Sequence, residues 1–224
     1  MERHFERDLD ELKERLLWMG NLAERSVHQA VHAVLEADEK LAHAVLNEEN
    51  PINELQIEID DRVVQLLALQ QLMATDLRFV LAIARINNDL ERIGDQAVNI
   101  AQSAQRIVHH PRVKPYVDLP RMGELAEKMM RDSLDSLVRR DVDLARSVLS
   151  RDDQVDQLRD QIFRELLTYM MGDSAVVFPA FELILVAKNL ERIADHATNI
   201  AEDVIYMVAG SDVRHPAVDR HTAD

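Results

Sequence analysis

Cysteine is absent from the chain. Disulfides and thiolate metal sites are therefore excluded, which fits a reducing, cytoplasmic setting. Glycine and proline are scarce, five and six in 224 residues, so long runs of regular structure meet few breakers. Aromatics make up only 4%. Basic residues are outnumbered, 26 against 41 acidic ones, and the net charge of −15 opposes broad contact with nucleic acid or anionic lipid. The same charge admits a cationic partner or cations themselves. No basic-then-apolar leader occupies Met1–Arg15, so no signal peptide is expected. The most apolar run, Val176–Ala187, is interrupted by Pro179 and Glu182 and is too short to span a bilayer. No Glu-x-x-His occurs, which argues against a ferritin-like di-iron bundle. Phosphate-cradling glycine loops and recognisable Ser or Cys nucleophile settings are missing too.

What is present is a repeat. Leu90-Glu91-Arg92-Ile93-Gly94-Asp95-Gln96-Ala97-Val98-Asn99-Ile100-Ala101 returns as Leu190-Glu191-Arg192-Ile193-Ala194-Asp195-His196-Ala197-Thr198-Asn199-Ile200-Ala201. Between Asn88–Gln102 and Lys188–Glu202, nine of fifteen positions are identical. The segment reads as a helix, with Leu90, Ile93, Gly94, Ala97, Ile100 and Ala101 on one apolar face. Gly94 and Ala194 are small where another helix must come close.

The repeat extends beyond the motif. Met122, Leu125, Ala126, Glu127, Leu144, Ala145, Val148 and Leu149 match Met19, Leu22, Ala23, Glu24, Leu41, Ala42, Val45 and Leu46 at a spacing of 103, which drops to 100 at the motif. A three-residue deletion is expected in the second turn of the later half. Helical periodicity is nearly continuous and no convincing alternating strand is found, so the class is all-α. The expected architecture is two tandem homologous three-helix bundles, six main helices in all, related by pseudo-twofold symmetry. The first bundle spans 1–108, a linker 109–119, the second bundle 120–210 and a loose polar tail 211–224. Pro111, Pro115 and Pro120 crowd three of the six prolines into the linker region. Helix one is expected over Phe5–Asn50, with a kink near Ala37 where Asp38 caps a fresh turn. Asn50-Pro51 is expected to bound helix two, which runs to about Met73. Thr75 is the expected cap of helix three, Asp76 to about Val108. Helix five follows from about Asp152 to Met171, Gly172-Asp173 stops it and caps the next, Pro179 dents helix six, and Gly210 ends it.

The repeated motif places Glu91, Asp95 and Asn99 on one stripe and Glu191, Asp195, Asn199 and Asp203 on another, neighbours lying about 6 Å apart along the axis. Asp152, Asp156 and Asp160 share that spacing in the fifth helix. Oxygen ligands on one side of a helix suit hard cations, singly or as a pair of metals. A solvated acidic face, with Arg92 and Arg192 in ordinary surface ion pairs, accounts for one copy equally well; recurrence of Glu, Asp and Asn in both halves keeps the metal reading level with it. His28 and His32, at i and i+4, have a spacing able to hold zinc or iron but read better as helix-surface histidines, and Arg131 stands at the place of His28 in the second half. His109-His110 and His196 carry no assigned role.

The duplicated signatures, Asn88-Asp89-Leu90-Glu91-Arg92-Ile93-Gly94-Asp95 and Asn189-Leu190 through Asp203, resemble those of the PhoU family over essentially Phe5–Gly210. The resemblance implies a cytoplasmic, non-catalytic regulator of phosphate uptake and phosphate-starvation signalling. Such a protein works as an adaptor between a phosphate ABC transporter and a membrane sensor histidine kinase, damping both when phosphate is plentiful, and a homodimer is expected. It also implies metal binding through Glu91/Asp95 and Glu191/Asp195, with iron, manganese, magnesium or zinc as candidates. One departure stands out: Asn53 and Ile57 lie where the fifth helix has Asp156 and Asp160, so the two sites are expected to differ. A metal-dependent hydrolase built on the same carboxylates is the alternative.

Overall fold

The computed structural model describes residues 2–69, 72–211 and 213, with side chains from residue 6 onward. The elements run α1 (Glu2–Glu36), α2 (Glu39–Leu69), α3 (Ala74–Ile107), α4 (Asp118–Arg139), α5 (Val142–Leu149), α6 (Asp152–Gly172), a single 3₁₀ turn (Ser174–Val176) and α7 (Val177–Ala209). No strand occurs among the described residues. Six long helices form two three-helix units, α1–α3 and α4 with α6 and α7, and the short α5 leads into α6.

The apolar face read from the motif is the core. Leu90, Ile93, Ala97, Ile100 and Ala101 are sealed from solvent, as are Leu190, Ile193, Ala194, Ala197, Ile200 and Ala201. The expected close approach at Gly94 is made by α2: a β-carbon there would lie 3.1 Å from Ile52 Cδ1.

The most extensive helix contact joins α3 to α7 across the two units. Arg106 meets Glu182 (3.3 Å), His196 Nδ1 meets Asp89 (2.8 Å), and Arg85 meets Asp203 (3.0 Å), so the helices run antiparallel. Glu182 and Asp203 are buried, and each of these carboxylates is held by an arginine of the other unit. The α1–α4 seam obeys the same twofold. Gly20 abuts Leu134, and Gly123 abuts Val31, with β-carbons at either glycine only 2.8 Å from the facing side chain. Each glycine and each apolar partner recurs at the spacing of 103.

The segment between α3 and α4 is free of helix but firmly tied. Arg112 donates to the Leu35 carbonyl at the end of α1 (2.7 Å), Lys114 pairs with Glu165 of α6, and Val113 is buried. His110 packs on Phe178, ring centroids 5.1 Å apart.

Several boundaries differ from the sequence reading. The break in the first unit falls at Ala37-Asp38, not at Asn50-Pro51. Ala37 adopts left-handed backbone (φ 55°), and the Asp38 carboxylate accepts from the amides of Lys40 (2.8 Å) and Leu41 (3.3 Å), capping α2. Pro51 then sits inside a continuous α2. Its missing N–H forfeits one hydrogen bond, but buried Ile52 and Leu55 on the next turn hold the helix against its neighbours. The matching break in the second unit is Arg140 (φ 52°), followed by Asp141, whose carboxylate caps α5 through the Leu144 amide. A further interruption at Ser150-Arg151 has no proline. Instead the hydroxyls of Ser147 and Ser150 turn back on the carbonyls of Leu144 and Ser147, and Arg151 reaches Asp132.

Thr75 is not the cap of α3, which begins at Ala74 after Met73 without a side-chain cap. Asp173 caps the 3₁₀ turn through the Ala175 amide (2.8 Å). Pro179 lies in the first turn of α7, where no intrahelical donor is lost, so it leaves no dent. Gly210 ends α7 in left-handed backbone (φ 70°). The segment 70–71 before the expected end of helix two, and most of the tail 211–224, fall outside the described residues.

Candidate functional site: two carboxylate stripes

In the second unit the stripe on α7 faces α6. Glu191 accepts a hydrogen bond from Arg159 Nη1 at 2.5 Å, and the same nitrogen lies 3.0 Å from Asp156. Asp160 takes the other edge of that guanidinium through Nε (3.1 Å) and Nη2 (3.0 Å). One arginine thus gathers three of the carboxylates.

Asp195 has no such direct partner among the described residues. Burial first, and then the charges of Glu191, Asp152 and Asp156, push its proton affinity up from the usual 3.8 to about 6, with His196 offsetting slightly. Asp152 is raised as well, by burial and then by Asp156, Asp153 and Glu191. Asp152, Asp156, Glu191 and Asp195 therefore share one field, while Asp160 lies a turn further out. There it lines a groove of about 340 Å³ with Phe163, Ile184, Lys188 and Glu191.

The first unit repeats the motif with weaker neutralisation. Burial raises the proton affinity of Glu91, Asp95 adds to the shift, and Arg92 and His196 oppose it. At the place of Arg159 stands Gln56, which donates to Asn88 (3.3 Å). At the place of Asp156 stands Asn53. Glu49, the counterpart of Asp152, joins Asp95, Asn99 and Gln96 in a polar cleft of about 520 Å³ that runs between α3 and α7 and includes Arg92, Arg192 and His196. The Oε1 of Gln96 is buried there without a hydrogen-bond partner among the described residues.

Two of the expected ligands are engaged elsewhere. Asn199 donates to Asp89 across the α3–α7 crossing (3.2 Å), and Asp203 is the buried partner of Arg85. The arrangement brings together Glu191, Asp195 and Asp156, and separately Glu91 and Asp95. Sequence reasoning missed Glu49, although the spacing of 103 from Asp152 points to it. It also missed Arg159, whose role depends on α6 and α7 meeting side by side.

The donor set is all oxygen, as a hard cation needs. As the side chains stand, no three His, Asp or Glu among the described residues converge on one point, and Arg159 supplies the positive charge in the second unit. A cation there competes with the guanidinium for the same carboxylates.

An all-α chain made of two antiparallel three-helix units, each with an acidic motif at the same place on its third helix, is a duplicated helical-bundle protein. The PhoU domain model matches twice, at residues 16–104 and 119–204, and the chain belongs to the PhoU family. It is similar to the phosphate-specific transport system accessory protein PhoU homologues of Pseudomonas putida (41% identical, covering 99% of this chain and 87% of that protein) and Clostridium acetobutylicum (40%, covering 93% and 96%). Among solved structures it resembles PhoU from Pseudomonas aeruginosa (TM-score 0.90, 39% identity, covering 92% of this chain and all of that one). The phosphate transport system regulatory protein PhoU from Streptococcus pneumoniae superposes with a TM-score of 0.86 at 29% identity, covering 94% of this chain and all of that one. No helix among the described residues is long and apolar enough to cross a membrane.

Proposed function

We propose that this chain is a cytoplasmic, non-catalytic regulator of phosphate uptake and phosphate-starvation signalling, acting as an adaptor between a phosphate ABC transporter and a sensor histidine kinase. The observation that carries the reading is the match of both repeats, over nearly the whole chain, to proteins named as accessory to phosphate-specific transport. The adaptor damps the kinase when phosphate is plentiful and works as a homodimer. Its acid-rich surface suits basic loops of membrane partners, so their binding weakens with salt. Deleting the gene switches on phosphate-starvation genes in phosphate-rich medium; unchanged expression of those genes overturns the reading.

Under this proposal the stripes hold cations through oxygen ligands, with iron, manganese, magnesium or zinc as candidates. Glu91, Asp95 and Glu49 serve the first unit, and Glu191, Asp195, Asp156 and Asp152 the second. The raised proton affinity of Asp195 supports it, because burial first, and then the like charges of Glu191, Asp152 and Asp156, disfavour its bare carboxylate, a cost that a bound cation offsets. A bound cation supplies charge there that the two flanking helices share. A metal-dependent hydrolase on the same carboxylates is separated from the adaptor by assaying the metal-loaded protein against phosphoesters.

A further inference from the structure

A second pair of ligand-type side chains lies on α1, away from the stripes on α3 and α7. His28 and His32 stand one helical turn apart, with ring centroids separated by 4.4 Å. Each ring is anchored by a carboxylate on the same nitrogen. His28 Nδ1 lies 3.2 Å from Glu127 Oε2 of α4, and His32 Nδ1 lies 2.7 Å from Glu36 Oε1. A ring that donates its Nδ1 hydrogen to a carboxylate carries its free lone pair on Nε2. Both side chains remain open to solvent, at 56% and 39%.

The repeat shows what these positions need for folding alone. At the spacing of 103, Glu24 corresponds to Glu127 and Arg131 to His28. Arg131 Nε bonds Glu24 at 2.7 Å, so the cross-helix pair His28–Glu127 has an arginine twin related by the twofold. Asp135 and Arg139 correspond to His32 and Glu36, and they too form an i, i+4 ion pair, at 3.3 Å. Ion pairing thus satisfies the fold in the second unit without any imidazole. The first unit has histidine at both places, and histidine differs from arginine and aspartate in offering a nitrogen lone pair at neutral pH.

We propose that His28 and His32 form a two-nitrogen chelate for a borderline divalent transition metal such as Zn²⁺, Ni²⁺ or Cu²⁺, with Glu127 and Glu36 orienting the rings. Two imidazoles at i and i+4 reach one metal from one helix face. Carboxylates on their far nitrogens fix the tautomer and raise ligand basicity. Water fills the remaining coordination positions. The surrounding charges are Glu24, Glu36, Glu127 and Arg131, acidic on balance. Nitrogen donors set this site apart from the oxygen stripes, so it favours Cu²⁺ over Ni²⁺ and Zn²⁺ and leaves Mg²⁺ unbound.

The test is calorimetric titration of untagged, chelator-stripped protein with Ni²⁺, and then Cu²⁺, near neutral pH. A variant in which Glu91→Gln, Asp95→Asn, Glu191→Gln and Asp195→Asn remove the stripe carboxylates takes up one ion per chain. Wild type takes up that ion besides any the stripes hold, so the histidine and Glu127 substitutions are made in the stripe-variant background. His28→Arg keeps the ion pair to Glu127, as Arg131 does with Glu24, yet weakens binding by more than about tenfold; Glu127→Gln weakens it by about tenfold while leaving both rings. Electron paramagnetic resonance of the Cu²⁺ form shows coupling to two nitrogens in the stripe variant and one when His28→Arg is added. Absence of binding by wild type overturns the proposal. So does unchanged affinity in His28→Arg, or loss of all Ni²⁺ uptake in the stripe variant.

Discussion

Replacing Asp195 by asparagine keeps the shape of the side chain and removes one negative charge from the group formed with Glu191, Asp152 and Asp156. In the folded chain Asp195 holds its proton up to about pH 6, against an ordinary value of 3.8. The fold therefore favours the protonated acid, and ionising it above pH 6 costs folding free energy. That cost shrinks as the pH falls through 6 and vanishes below the ordinary carboxylate range. Sealed from water, the difference would correspond to about 3 kcal/mol. Asp195 is solvent-exposed by surface area, and solvent screening leaves about 1 kcal/mol. Asp195→Asn is thus expected to stabilise the metal-free protein by about 1 kcal/mol at slightly alkaline pH, a rise in Tm of about 2–4 °C for a chain of this size. The gain should fade towards pH 4. Urea unfolding in a chelating buffer across this range measures it. A cation held by the stripe reverses the sign, because the variant then loses a ligand that the wild type keeps. No stabilisation at high pH, or an equal gain at pH 4, would refute the shared field around Asp195.

Two further expectations concern the frame that carries the stripes. Gly123→Ala places a β-carbon 2.8 Å from Val31 Cγ1, a stiff branched side chain on α1. Overpacking of about 1–3 kcal/mol outweighs the gain of about 1 kcal/mol in helix propensity, so thermal denaturation should show a net loss. Ala37→Gly relieves left-handed backbone at φ 55° and should stabilise the chain by about 1 kcal/mol, provided the break between α1 and α2 stays at Asp38; a lower Tm would show that the break had moved.

The fold was legible because apolar spacing repeats, and burial of Leu90, Ile93 and Ala97 with Leu190, Ile193 and Ala197 follows directly from it. Helix ends were less legible. Asn50-Pro51 carries a boundary signal, yet α2 runs through it because Ile52 and Leu55 are buried against neighbours that a local reading does not contain. Ser150-Arg151 carries no such signal and does break, through hydroxyl bonds and a distant Asp132. The same limit governs the site. Glu191 and Asp195 are visible as a stripe, but whether a stripe repels itself or is neutralised depends on what the facing helix presents. Here α6 presents Arg159 together with Asp152 and Asp156, whereas α2 presents Gln56 with Glu49 and Asn53. Two nearly identical motifs therefore sit in different fields. The second carries its own guanidinium and must lose it to take a cation through Glu191, while the first has no competing arginine on its second helix. If cations bind, the unit with fewer carboxylates has the lower barrier to loading, and Arg159 sets the difference between them.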